Sequence, residues 1–250
     1  MPQASKVALV TGAGRGIGEA TAARLSSEGY TTIALDASPP ELFAERGWEV
    51  HQCDVSDEEA VRSVIAEVEA RHGRVDVLCN VAGIVLVKPL TETTWSEFRR
   101  LVEVNIGGTF LMCKYVLPLM QRQRQGVVVN LGSVSGHIGQ IDHSLYGATK
   151  GAIIALGRAL AWELAPYGIR MVSVSPGSVD TAMLRGDIEL EARSTGESFQ
   201  QVKARREKEQ AFGRWADPVE IAEAISFLAS DRASFITGCD LLVDGGWVAR

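Results

Sequence analysis

Four cysteines, Cys53, Cys79, Cys113 and Cys239, are all that the 250 residues contain, and none shows metal-ligand spacing. The four histidines, His51, His72, His137 and His143, form no ligand-spaced cluster with acids or cysteines, so no metal site is expected. Three of the cysteines sit in or beside apolar, strand-like runs and Cys113 falls in a helical stretch. Buried free thiols in a reducing compartment fit that pattern better than disulfides. No run approaches ~18 consecutive apolar residues, which excludes a membrane-spanning helix, and residues 1–5 are too short for a signal peptide. Positive charge is scarce too: 25 Lys and Arg against 31 Asp and Glu leave a net charge of −6. No basic stretch offers a phosphate-binding surface, and the densest cationic run, 203–209, is interleaved with acids like a solvated helix face. No linker-like segment interrupts the chain. The expectation is a cytoplasmic protein with one domain over residues 1–250 and neither nucleic-acid nor membrane partners.

What is present begins with Lys6–Val10, an apolar run followed at once by Thr11-Gly12-Ala13-Gly14-Arg15-Gly16-Ile17-Gly18. A helical pattern over Glu19–Gly29 and a second apolar run, Thr31–Leu35, lead to Asp36. Strand, glycine loop, helix, strand and acid, in that order, make a dinucleotide-binding unit. The glycines let the backbone turn tightly and approach a pyrophosphate, which a helix N-terminus attracts. Gly12, Arg15, Gly16, Ile17 and Gly18 are assigned to the cofactor on that basis. Asp36 lies eighteen residues after Gly18, near the ~20 expected for an acid holding the adenosine ribose. Its carboxylate accepts from both ribose hydroxyls and repels a 2′-phosphate, whereas Arg15 would pair with that phosphate. Ala37 adds no second cation, so NAD is expected rather than NADP.

A short helix is expected over Glu41–Arg46, and a third strand-like run from Trp48 to Cys53 ends at Asp54 and Val55, which are placed to face the adenine. Ser56 as N-cap and Glu59 predict a capping box for a helix running to His72-Gly73. The fourth run, Val75–Cys79, leaves through Asn80-Val81-Ala82-Gly83, which is either an ordinary strand-ending turn or backbone lying beneath the cofactor.

Leu101–Met120 reads as a long helix ending near Pro118, with Asn105 in its apolar face. A buried mid-helix asparagine is either a satisfied structural residue or the holder of a water at a reaction centre. Val127–Leu131 is a fifth strand, and Gly132-Ser133 follows at its carboxyl end, where open α/β sheets place ligands. Tyr146 comes thirteen residues later, opening a helix to Leu164, with Lys150 one turn further on the same face. Moving a phenol from ~10 down by ~2–3 pH units takes roughly 3–4 kcal/mol. An ammonium ~4 Å away at an effective dielectric near 20 offers about 4 kcal/mol. The pair is the right size of device to make a tyrosine work as acid or base. Strands at Ile169–Val174 and Asp240–Val243 and a helix over Pro218–Ser230 follow. Residues 182–213, the most polar stretch with only a weak helical pattern, are expected to form a mobile lid. The alternation predicts an α/β fold, a Rossmann-type doubly wound parallel sheet of about seven strands with helices on both faces.

Together these residues resemble the short-chain dehydrogenase/reductase family, in its compact single-domain NAD(P)-dependent branch. The loop 11–18 is similar to that family's cofactor loop, and 80–83 to its Asn-Asn-Ala-Gly turn, which implies cofactor contacts from Asn80, Ala82 and Gly83. Asn105, Ser133, Tyr146 and Lys150 fall where the family has its catalytic four. Pro176, Gly177, Val179 and Thr181 lie in a segment resembling its nicotinamide-carboxamide contact, and 236–238 and 243–246 resemble its C-terminal end. Val81 replaces the turn's second Asn, Val172 stands where many members have Asn, and the segment after Asp36 is short. The resemblance implies reversible hydride transfer between NAD and a secondary alcohol. In it Tyr146 is the general acid/base and Ser133 holds the substrate oxygen. Lys150 lowers the Tyr146 pKa and holds the nicotinamide ribose, and Asn105 positions a water. A homotetramer, or a homodimer, is implied as well.

The substrate wall is expected from Val85, Ser135, Ile138, Gln140, His143 and residues near Met183 and Leu184. Gln140 and His143 either meet a second hydroxyl or carbonyl or are plain loop residues. Such a mixed wall suits a small secondary alcohol, diol or sugar-like polyol better than a bare hydrophobe. Two other readings stay open. One is an NADPH-dependent 3-ketoacyl-thioester or carbonyl reductase, favoured by Arg15, Arg122 and Arg124 and opposed by Asp36 and Ala37. The other is a catalytically silent NAD-binding regulatory protein, opposed by the intact catalytic four.

Overall fold

Each strand-like run becomes a strand in the computed structural model, which describes residues 5–39, 41 and 46–249. They are β1 (Val7–Thr11), β2 (Thr31–Asp36), β3 (Glu49–Gln52), β4 (Val77–Asn80), β5 (Gly126–Leu131), β6 (Ile169–Pro176) and β7 (Asp240–Val243). Neighbours pair in parallel in the order β3-β2-β1-β4-β5-β6-β7. Parallel pairing forces the chain to cross back between strands, so helices cover both faces. Adjacent residues of one strand point to opposite faces. Leu9, Leu78 and Val128 accordingly enter the core beneath α2 (Glu58–His72), α4 (Gly108–Gln123) and α5 (Ser144–Leu164). Val10, Cys79 and Val129 enter the other, beneath α1 (Gly16–Ser27) and α8 (Pro218–Ala229). Strand order reverses between β1 and β4. The loops leaving their carboxyl ends diverge there and open a crevice.

Three local expectations change. Asp57, not Ser56, caps α2: its carboxylate accepts from the Glu59 and Ala60 amides at 2.9 and 3.2 Å. Ser56 is unavailable because its hydroxyl donates to Asp54 at 2.6 Å and accepts from Arg100 at 2.6 Å. The helix expected over Leu101–Met120 begins earlier, at α3 (Trp95–Val102), behind a Thr94/Glu97 capping box. It widens into a π-helical turn, Glu103–Gly107, and continues as α4 through Pro118 to Gln123. Burial of Val116, Leu119 and Met120 carries the helix past a proline that removes one of its hydrogen bonds. The polar stretch 182–213 holds two capped helices, α6 (Ala182–Thr195) and α7 (Phe199–Glu207), packed over Ile188, Val202 and Trp215. Most of the short helix expected over 41–46 lies outside the described residues.

Candidate active site

The crevice at the strand reversal is a cavity of about 370 Å³. Its floor is the β1–α1 loop. Gly16 holds φ +59°, and a Cβ on Gly18 would sit 2.0 Å from the Gly12 carbonyl oxygen, so any side chain there would push α1 off β1. Arg15 occupies the N-cap of α1 without a side-chain cap, which leaves the first helical N–H groups uncapped at the cavity wall. Gly12, Arg15, Gly16, Ile17 and Gly18 all line that wall. A backbone cradle that a Cβ would fill, ending in an uncapped helix N-terminus, fits a dinucleotide pyrophosphate.

Asp36 ends β2 at the cavity edge. The Gly14 amide donates to its Oδ2 at 2.9 Å and the Ser38 amide to its Oδ1 at 2.8 Å, which fixes the carboxylate and leaves lone pairs for ribose hydroxyls. Asp54 and Val55 line the same end. Burial works against the charged form of Asp54, but hydrogen bonds from Ser56 and Arg100 outweigh it and hold the carboxyl below its ordinary range. The turn after β4 is anchored by Thr11, whose hydroxyl accepts from the Val81 and Ala82 amides, each at 3.0 Å. That anchor uses backbone alone, so Val81 serves as well as another residue would. Ala82 and Gly83 face the cavity. Asn80 does not. The register sets it beside Asn130 of β5, and its amide donates to Asn130 Oδ1 at 2.9 Å within the sheet. The expected cofactor contact is thereby corrected to a buried cross-strand tie. Pro176, Gly177, Val179 and Thr181 complete the wall, and Thr181 also caps α6 by accepting from the Leu184 amide at 3.3 Å.

At the other end, α5 presents Tyr146 and Lys150 one turn apart, and both line the cavity with Ser133 from the loop after β5. Lys150 is only 3% exposed; its Nζ donates to the Leu131 carbonyl at 2.8 Å and lies 5.7 Å from the centre of the Tyr146 ring. The ammonium is tied to β5 rather than to the phenol oxygen. Burial pushes Lys150 down to about 8. Burial also pushes Tyr146 up to about 12, with a Ser133 hydrogen bond pulling the other way and the Asp187 charge adding to the rise. The lowered tyrosine expected from helical spacing is therefore corrected. Without a cation held at the phenol oxygen, desolvation decides.

Ser133 donates to Ser135 Oγ at 3.2 Å, and the Ser135 hydroxyl donates to Gln140 Oε1, so the Gln140 NH₂ remains as a donor. Asn105 lies wholly buried in the π-helical turn, behind the cavity rather than on its surface. Its Oδ1 accepts from the Ile84 amide at 2.9 Å, and its Nδ2 donates to the Ile84 carbonyl and Thr149 Oγ1, each at 3.0 Å. Through these bonds the side chain ties the Ile84 loop to α5.

Of the expected substrate wall, Val85, Ser135, Gln140, His143, Met183 and Leu184 line the cavity and Ile138 does not. Asp187, three residues beyond Leu184 in the stretch expected to line the wall, lines it too, as do Arg206 and Trp247, which nothing local in the sequence marks. The fold of α6 and α7 brings in the first two. Arg100, which reaches the adenine end from α3, was within reach of a sequence argument through the Thr94-x-x-Glu97 capping box.

A family model described as enoyl-(acyl carrier protein) reductase matches residues 12–248. A meso-2,3-butanediol dehydrogenase from Serratia marcescens is 38% identical over 252 residues, spanning 98% of this chain and 95% of its own. The ligand-free structure of Thermoplasma acidophilum aldohexose dehydrogenase superposes with a TM-score of 0.92 at 35% identity, covering 98% of this chain and 95% of that one. A variant of actinorhodin polyketide ketoreductase with NADPH gives a TM-score of 0.93 at 32% identity, over 98% of each chain.

Proposed function

The chain belongs to the short-chain dehydrogenase/reductase family and is an NAD(P)-dependent alcohol oxidoreductase, and from that premise we propose that it uses NAD to interconvert a small secondary alcohol, diol or sugar-like polyol with its ketone. One observation carries the reading: Ser133, Tyr146 and Lys150 open onto the same cavity as the glycine loop and Asp36. The two relatives named for a butanediol and for aldohexoses support hydroxylated substrates.

When bound, the nicotinamide takes a hydride from the carbinol carbon or returns it. Ser133 and Tyr146 hold the substrate oxygen between them. In reduction the neutral phenol of Tyr146 gives its proton to that oxygen, and in oxidation the phenolate takes the proton back. Lys150, whose Nζ lies 5.7 Å from the centre of the Tyr146 ring and donates to Leu131, would hold the nicotinamide ribose with its remaining donors and act on the forming phenolate only at that distance. Asn105 fixes the Ile84 loop against Thr149, and with it the seat of Tyr146. Acid–base catalysis of this kind contributes ~10²–10⁴-fold. Gly12, Arg15, Gly16, Ile17, Gly18, Asp54, Val55, Ala82, Gly83, Pro176, Gly177, Val179 and Thr181 hold the dinucleotide, with Asp36 on the adenosine ribose.

Asp36 favours NAD because a carboxylate repels a 2′-phosphate. Arg15 and the NADPH-bound neighbour favour a second reading, an NADPH-dependent ketoreductase. Reduced-nicotinamide absorbance with NAD and NADP in parallel, over secondary alcohols, diols and sugars, separates the two. Turnover with NAD is expected. Turnover with NADP alone would move the assignment to the ketoreductase, and cofactor binding without turnover would move it to a regulatory protein.

In the same reading α6 and α7 are the lid, and the protein works in the cytoplasm. Among the described residues no helix is long and apolar enough to cross a membrane. A homotetramer, or a homodimer, would cover Phe110 on α4 and Trp162 on α5, which are 52% and 86% exposed in the single chain.

A further inference from the structure

Beyond Ser133 and Tyr146, the substrate end of the cavity carries a polar group that the reaction does not use. His143 sits edge-on to Tyr146, ring centroids 6.3 Å apart, and its Nδ1 donates to the Ile141 carbonyl at 2.7 Å. A carbonyl only accepts, so the neutral ring carries its proton on Nδ1 and offers Nε2 as an acceptor. Asp187 reaches the cavity from α6, near enough for its charge to act on both Tyr146 and His143. Its side chain is only 10% exposed, and among the described residues its hydrogen bonding is confined to Oδ2, which Arg206 approaches at 3.4 Å. Oδ1 is left without a protein partner. Arg206 is held within the protein's own acids, with Glu191 at 3.0 Å and Glu209 at 3.7 Å facing it along with Asp187. With Arg205, which Glu191 shares with Glu197, four carboxylates face two guanidinium groups and leave this corner net negative. An open oxygen on a mostly buried carboxylate in the cavity wall is placed to accept from a hydroxyl that a bound substrate carries.

We propose that Asp187 is a specificity-determining residue: its carboxylate accepts a hydrogen bond from a second hydroxyl of the substrate, selecting diols and polyols over monoalcohols and over carboxylate-bearing alcohols. The inference rests on the alcohol-oxidoreductase reading. Met183, Leu184 and Trp247 give the cavity an apolar side for the carbon skeleton, and among the polar groups of its substrate end the acid is the charged acceptor not taken up by the reaction.

The test compares kcat/KM for 2,3-butanediol with that for 2-butanol, at saturating NAD, in the wild type, Asp187→Ala and Asp187→Asn. The wild type should prefer the diol. Asp187→Ala should lose about 10–100-fold on the diol, largely in KM, and less than about threefold on 2-butanol, as befits a hydrogen bond to a charged group. Asp187→Asn keeps one amide oxygen as acceptor and should fall between. The KM for NAD should stay put in both, and Arg206 keeps Glu191 and Glu209, so the fold of α6 and α7 should survive. Equal losses on both alcohols, or no loss on the diol, overturns the assignment of Asp187 while leaving the oxidoreductase reading intact. A wild type inert toward both alcohols, with either nicotinamide, overturns that reading and this inference with it.

Discussion

Lys150 is a buried ammonium whose neighbours do little for its charge, and the consequence can be measured apart from catalysis. It is 3% exposed, and among the described residues no carboxylate pairs with it; its hydrogen bond goes to the Leu131 carbonyl. Burial moves its pKa from 10.5 to about 8. At ~1.36 kcal/mol per pH unit, that gap corresponds to about 3 kcal/mol of destabilisation while the group is charged. Between about pH 8 and 10.5 the unfolded chain binds more protons at this position than the folded one, so stability rises with pH across that window. Below it the penalty is present in full. By pH 10 most of it, about 2–3 kcal/mol, should have been recovered.

Lys150→Met removes the charge and keeps an unbranched chain of similar reach. It also orphans the Leu131 carbonyl, at about 1–3 kcal/mol, so near pH 7 the variant should be equal to the wild type or more stable by up to about 2 kcal/mol. The more telling quantity is the change in that difference with pH, because every other titrating group cancels. Urea unfolding followed by fluorescence of the five tryptophans, at equal protein concentration near pH 7 and pH 10, reads it directly. The wild type should gain about 2–3 kcal/mol on the variant between the two conditions. Stability–pH profiles that run parallel to within about 0.5 kcal/mol would refute the account of Lys150 as an uncompensated buried charge. Turnover should be lost in the variant even where it is the more stable protein, the trade expected of a strained functional group.

Other consequences are simpler to check. Tyr146→Phe should keep NAD affinity within a few-fold and lose nearly all turnover, ~10²–10⁴-fold in kcat; a variant with half the wild-type rate sinks the acid–base assignment. With the phenol up at about 12, alcohol oxidation should climb with pH through the neutral and mildly alkaline range, while ketone reduction, which needs the protonated phenol, should stay level near pH 7. An oxidation rate flat between pH 6 and 9 with chemistry rate-limiting would contradict that. Asp36→Ser should shift the NADP-to-NAD ratio of kcat/KM toward NADP by about 10–100-fold, since it removes the like charge facing a 2′-phosphate. It should also raise the KM for NAD, because the Gly14 and Ser38 amides lose their acceptor. An unchanged ratio would show that Arg15, not Asp36, sets the preference.

How far the sequence foretold this site depended on whether the information was local. The glycine loop, Asp36 and the Tyr146/Lys150 turn announce themselves because a tight turn, a strand end and one helical turn are set by neighbours in the chain. Asn80 looked like a cofactor contact for the same reason, yet its fate was decided by the register that pairs it with Asn130, fifty residues away. Ser56 satisfied the pattern of an N-cap and lost the position to Asp57 because Asp54 and Arg100 claimed its hydroxyl from outside the helix.

The pKa of Tyr146 shows the limit most sharply. Spacing places a cation within reach of a phenol; it says nothing of where the ammonium's own hydrogen bonds go. Here the β5 backbone takes them, and enclosure by α6 and the Ser133 loop does the rest. The same enclosure sets Asp187 in the cavity wall near the reacting groups, in the stretch around Met183 and Leu184 whose sequence marks no particular residue for that place. In this cavity the parts that hold a nucleotide are written as local motifs. The parts that bear on proton affinity and line the substrate end come together only where residues of α5, α6 and α7 meet in one cavity. A relative that keeps the glycine loop and the Tyr/Lys turn but changes position 187 should therefore share the chemistry and differ in the alcohol it takes.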